Sequence, residues 1–234
     1  MARNAGVDPR LVRHHCHDQA ELFRAPRTER STAPRSPIGS PDDEPVGRPA
    51  RFGDITFDLF AEIDLGGRTV RLFRFGPGNG PGDTVAYLPD TRTAWTGNYL
   101  CHAGIAPMLL QGGPQPYIES LKRMRDELPT VDTIVPGHGP IGNGPEAVEW
   151  LIEYLESLTA DVTKLRAAGR DEDQTLDECP SPFADGLDKR VVEALAEYDV
   201  PTEQTRQHML ALMRHLHRLN VVVTYRTLES ESIG

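Results

Sequence analysis

The stretch Val131-Asp-Thr-Ile-Val-Pro-Gly-His-Gly139 constrains this chain more than any other. It is a short apolar run rich in β-branched residues, bounded by turn formers, and it reads as a buried strand. Pro136-Gly137 and Gly139 predict a tight turn at its C-terminal end, because glycine alone adopts positive φ without strain. His138 is then held at the mouth of a sheet, where α/β folds concentrate their chemistry. A histidine at that position is a candidate metal ligand or base.

Two upstream segments join it. Phe75-Gly-Pro-Gly-Asn-Gly-Pro-Gly-Asp-Thr-Val-Ala-Tyr-Leu-Pro89 is followed by Ala94-Trp-Thr-Gly-Asn-Tyr99. With Pro136-Gly-His-Gly139 they resemble, in order and spacing, the second half of the metallo-β-lactamase fold hydrolases. The resemblance runs from about Phe52 to Gly142, and the helical tail also fits. It implies an α/β fold, a partial metallo-β-lactamase-like αβ sandwich with a C-terminal helical extension. It further implies a zinc site in which His138 is a ligand and Asn79 and Asn98 stand at the other two ligand positions.

At Asn79 the family carries a histidine, and at Asn98 a metal-bridging aspartate. Zinc prefers imidazole, thiolate and carboxylate, and a neutral carboxamide substitutes poorly for any of them. Losing the aspartate also removes a charge that would hold two cations close together. This half of the site is therefore expected to bind zinc weakly or not at all. The family's turn aspartate falls on Asp83, which the resemblance makes a structural residue fixing backbone amides.

The family's main motif, His-x-His-x-Asp-His, should lie upstream. One alignment of His14-His-Cys-His-Asp-Gln19 offers His14, Cys16 and Asp18 as ligands, with Gln19 in place of the last histidine. A second alignment makes Arg13 to Phe23 a later strand-to-helix segment, so that the first half of the fold is absent. The helix-like continuation from Gln19 to Arg24 favours the second. A polar N-terminus with incidental histidines is a third reading. Cys101 and His102 directly follow the Asn98 segment and are further candidates to replace the missing aspartate; the plainer reading is a loop that merely packs.

The chain has 234 residues and a formal net charge of −10. Such acidity argues against nucleic acid, whose phosphates require a basic face. No run of about eighteen apolar residues predicts a membrane span, and three cysteines at irregular spacing make no disulfide framework. The chain reads as soluble and cytoplasmic. Residues 1–51 read as an N-terminal segment with a mobile linker rich in Pro, Ser and Arg, 52–142 as the sheet-and-helix region, and 143–234 as a helical region.

Within these regions, Ile55 to Ile63, Arg68 to Phe75, Asp83 to Leu88 and Thr93 to Thr96 read as strands in hairpins. Pro116 to Glu127 and Pro145 to Ala168 have helical spacing, the latter with Pro145 in its first turn and Gly169 past its end. Asp188 to Tyr198 and Thr202 to Leu219 predict two further helices, and Val221 to Tyr225 a short terminal strand. His208, His215 and His217 are expected on an exposed or partner-facing polar surface of the last helix. The glycine-rich Gly76 to Gly82 lacks the Lys-Ser/Thr of a phosphate-binding loop.

Two functions follow from different classes. The resemblance implies a hydrolase whose metal-bound hydroxide attacks a small-molecule ester, thioester or lactone. The degenerate ligands imply instead a non-catalytic or truncated member acting by binding or assembly. Apolar residues that would have packed on a missing half predict a homodimer or an exposed patch.

Overall fold

A computed structural model describes residues 56–109, 113–196 and 203–231. The N-terminal segment, with His14, Cys16 and Asp18, lies outside the described residues. Six strands follow one another across a single sheet: β1 (Phe60–Asp64), β2 (Thr69–Phe73), β3 (Val85–Leu88), β4 (Thr93–Gly97), β5 (Thr133–Pro136) and β6 (Gly142–Asn143). All neighbours are antiparallel except β4 and β5. That parallel pair requires a crossover, which α1 (Pro114–Glu127) provides. The β1–β2 turn forms where Gly66 and Gly67 take positive φ and the Asp64 carboxylate accepts the Gly66 N–H at 2.8 Å.

Strand alternation gives the sheet two different faces. Val85, Tyr87, Ala94 and Ile134 point to one side and are buried there with Ile118, Leu121 and Met124 of α1 and Val148, Leu151 and Leu155 of α2 (Gly144–Ala167). Helix α2 starts where the Asn143 side chain accepts the Glu146 N–H at 3.0 Å, and it ends before Gly169 at φ +79°. These are the two ends its sequence predicts.

Two more helices, α3 (Glu172–Glu178) and α4 (Lys189–Ala196), precede the long α5 (Glu203–Glu231). The sequence reading contained no counterpart of α3, which is seven residues long and held by an Asp171–Gln174 capping box. The terminal strand expected at Val221 to Tyr225 is not one. Those residues continue α5, because Met213, Leu216, His217, Asn220, Val221 and Thr224 form a buried 3–4 stripe. The β-branched run therefore fills a helical face, tertiary packing overriding its strand preference. His217 is likewise buried, whereas His208 and His215 are exposed. Among the described residues, no helix is long and apolar enough to cross a membrane.

Candidate functional site

The ends of β2, β4 and β5 share one edge of the sheet, and the turns carrying Asn79, Asn98 and His138 leave from them. Gly137 N–H donates to the Gly97 carbonyl at 2.8 Å, extending the β4–β5 pairing into the turn. Gly137 does not need positive φ. Its role is close approach, since a Cβ there would sit 2.9 Å from Asn98 Oδ1 and 3.2 Å from the Gly97 carbonyl carbon. Gly139 is the residue of this turn that takes a left-handed conformation, at φ +87°. Asn98 thus lies against the backbone that carries His138, and both residues are exposed.

The Asn79 turn comes in from β2. Asp83 Oδ2 accepts the Gly80 N–H at 2.9 Å, and Gly78 N–H donates to the Gly80 carbonyl at 3.2 Å. Gly78 presses on Tyr99 and Tyr117, where a Cβ would meet the Tyr99 ring at 2.6 Å. Tyr99 directly follows Asn98, and its carbonyl accepts the Tyr117 hydroxyl. The buried Tyr99 hydroxyl pairs with Ser120 at 3.0 Å, and burial raises the ionisation of both tyrosines far out of the physiological range. They are a neutral floor beneath the turns. Asn79 Oδ1 is buried and has no hydrogen-bond partner.

The two neighbouring candidates are placed by packing. Cys101 is half-buried, and desolvation pushes its thiol up to about 11, so it is not a thiolate at neutral pH. His102 is buried beneath the Pro-Gly-His-Gly turn, its ring carbon 2.7 Å from where a Gly142 Cβ would stand. Its Nδ1 lies 2.6 Å from the Ala103 carbonyl, and since a carbonyl only accepts, Nδ1 carries the proton.

A second polar feature was not read from the sequence. Asn220 donates to the Pro107 carbonyl at 2.8 Å and to the Tyr154 hydroxyl at 3.0 Å, while its Oδ1 accepts the Leu109 N–H at 3.0 Å. Tyr154, having accepted from Asn220, donates to His217 Nδ1 at 3.1 Å. Burial holds the His217 pKa below its ordinary value, against the opposing pull of the Pro180 carbonyl and Asp161. The signal for this network was the placement of His217 and Asn220 at the helical spacing of Met213, Leu216 and Val221. His217 and Tyr154 line a cleft of about 370 Å³ with Trp150, Glu153, Ser157 and Asp161, none of which belongs to the three turns.

The chemistry of the donor set at the three turns bears directly on zinc. Among the described residues no group of three His, Cys, Asp or Glu side chains is placed to hold a metal ion. At the three turns one imidazole stands beside two carboxamides, and a catalytic zinc needs three strong protein donors with an open position. These residues do not fit the ion.

Three turn motifs, in order on one edge of a mixed sheet whose helices cover one face, define the class. It is an α/β fold carrying a C-terminal helical extension, and the order and spacing of its turn motifs resemble part of the metallo-β-lactamase fold. Similar solved structures include a metallo-beta-lactamase from Pontibacter korlensis, 21% identical with a TM-score of 0.40, the match covering 44% of this chain and 48% of that one. The DIM-1 metallo-beta-lactamase exposed to ceftazidime is 19% identical with a TM-score of 0.34, covering 38% and 41%. The chain thus spans less than half the length of these structures. No protein-family model matches the sequence, and no curated protein does.

Proposed function

We propose that this chain is a binding or assembly protein built on part of a metallo-β-lactamase-type scaffold, and that it does not act as a metal-dependent hydrolase. The donor set at the three turns carries the proposal: His138 is a strong zinc ligand, whereas Asn79 and Asn98 are neutral amides. The buried, unpartnered Asn79 Oδ1 supports it from another direction. A neutral acceptor in that state is satisfied by an N–H or O–H donor, which a small polar molecule held at the turns would supply. Hydrolysis of an ester, thioester or lactone would need a metal-bound hydroxide that these donors are poorly made to hold.

Elemental analysis of protein purified without added zinc tests this, paired with His138→Ala. The expected result is zinc well below one per chain in both proteins. Near-stoichiometric zinc that is lost in His138→Ala, together with turnover of a generic thioester or lactone, would overturn the proposal. Restoring Asn79→His and Asn98→Asp together is expected to raise zinc affinity by ~100-fold or more, since an imidazole and a charged bridge return. Competition with a chromogenic chelator reads that change.

A further inference from the structure

Asn79-Gly80 and Asn143-Gly144 are the asparagine–glycine pairs of this chain, and the fold treats them differently. In such a pair the glycine nitrogen is one bond short of a five-membered ring with the asparagine carboxamide carbon. Glycine obstructs that closure least, because it has no Cβ and few backbone restrictions. Around Asn143 both groups are engaged. Its Oδ1 accepts the Glu146 N–H at 3.0 Å as the cap of α2, and the Gly144 N–H donates to the Asp132 carbonyl at 2.8 Å. A backbone carbonyl holds that proton without removing it. Gly144 is also wedged in place, since a Cβ there would meet Val131 Cγ1 at 2.7 Å.

Around Asn79 these restraints are absent. The Gly80 N–H donates to Asp83 Oδ2 at 2.9 Å, and a carboxylate at that distance meets the geometric requirement for a general base. Asn79 Oδ1 accepts no hydrogen bond among the described residues, so no donor fixes the carboxamide away from the backbone. Gly80 has room to move, because the nearest atom to a Cβ there would be Asp83 Oδ1 at 3.7 Å. Asn79 and Gly80 are both half-buried, which leaves the turn open to water. The other described asparagines lack the glycine: Asn98 precedes Tyr99, and Asn220 precedes Val221.

We propose that Asn79 is a site of self-catalysed deamidation, with Asp83 as its base. Asp83 takes the Gly80 N–H proton while the Gly80 nitrogen forms a bond to Asn79 Cγ. The bond from Cγ to Nδ2 then breaks, and Nδ2 leaves as ammonia with the proton that Asp83 held. A cyclic imide remains, and water opens it at either carbonyl, so the product is an aspartate or its β-linked isomer. Water is consumed, ammonia is released, and nothing is oxidised or reduced. Either product sets a negative carboxylate where the turn had a neutral amide, on the sheet edge that also carries the His138 turn. This chemistry does not depend on what the three turns bind, and either proposal can fail without the other.

Peptide mapping by mass spectrometry over a time course at neutral pH tests the proposal, on the full chain folded and on the same chain unfolded in urea. Unfolded, the two pairs should convert at similar rates, since only local sequence then acts. Folded, Asn79 should convert ~10-fold faster than Asn143 or more, the scale on which a positioned base acts. Asp83→Asn provides the second arm. Its carboxamide oxygen still accepts the Gly80 N–H but is no base, so conversion of Asn79 should fall by ~10-fold or more. The circular dichroism spectrum and thermal midpoint should stay near wild type. If that variant loses its fold, the comparison of folded with unfolded wild type decides.

An Asn79 that stays an amide in the folded chain while the unfolded chain converts overturns the proposal. Equal conversion of Asn79 and Asn143 in folded protein overturns it too, because the structure then selects neither. So does a folded Asp83→Asn variant whose Asn79 converts at the wild-type rate, since Asp83 is then not the base.

Discussion

Gly137 shows how a single missing atom shapes the candidate site. Its Cβ would stand between the Asn98 amide and the Gly97 backbone, so the strand ends approach closely only because this residue has no side chain. Gly137→Ala is expected to destabilise the fold by about 1–3 kcal/mol through overpacking, read from urea denaturation midpoints. A loss equal to that of an exposed turn substitution would refute the close-approach account. Cys101 and Cys179 give a second test at this scale. Burial is the main cause raising both thiols to about 11, so their alkylation should be slow at pH 7.5 and accelerate only as the pH nears that value. Peptide-resolved mass spectrometry after timed iodoacetamide labelling separates these two from Cys16. Rapid modification of either at neutral pH would contradict the buried, protonated state.

Elements were legible in the sequence where one local rule governed them. The Val131 to Gly139 strand and turn, the capped α2 and strands β2 to β4 emerged within about two residues of their predicted bounds, because period and turn chemistry agreed, whereas β1 begins only at Phe60, well inside the expected Ile55 to Ile63. The last helix was misjudged where those rules parted: Val221 to Tyr225 has strand composition, but its residues lie on a face that only a helix can present to the core. Nor could the burial of His217 be read locally, because it depends on Tyr154, which is 63 positions away. At the candidate site the turns and the amide replacements were legible, whereas the packing of His102 beneath the Pro136 to Gly139 turn was not. Asn220 ties these distant pieces together, joining α5 to the backbone at Pro107 and Leu109 and to Tyr154 of α2. Asn220→Leu would strand a buried N–H and a buried carbonyl, and it should cost about 3 kcal/mol. Asn143→Ala, which removes only the α2 cap, should cost about 1 kcal/mol. Thermal melts of the two variants should preserve that order, and a reversal would mean that α5 is not anchored through Asn220.

At the scale of the whole molecule, one hydrophobic cluster runs from Val85 and Ala94 in the sheet through α1 and α2 to Met213 and Val221 of α5. Polar groups enclosed by it therefore make stability depend on pH. His217 is held below its ordinary pKa chiefly by burial, so the folded chain binds this proton less readily than the unfolded chain does. Its neutral form fits the fold fully above about pH 6.5, the unfolded value. As the pH falls below that value the unfolded state takes up the proton first, and stability declines. Asp188 behaves as the opposite type. Hydrogen bonds from the Arg190 guanidinium hold its carboxylate below the usual range, so its contribution persists until the pH falls beneath about 4 and is lost through its folded pKa. Two windows of acid destabilisation are expected, one below pH 6.5 and one below pH 4. His217→Gln should flatten the first, since glutamine carries no titrating proton, and leave the second in place; Asp188→Asn should do the reverse. Thermal midpoints measured at half-unit intervals from pH 3 to 8 distinguish them. If His217→Gln keeps the full decline between pH 6.5 and 5, the buried imidazole is not its source.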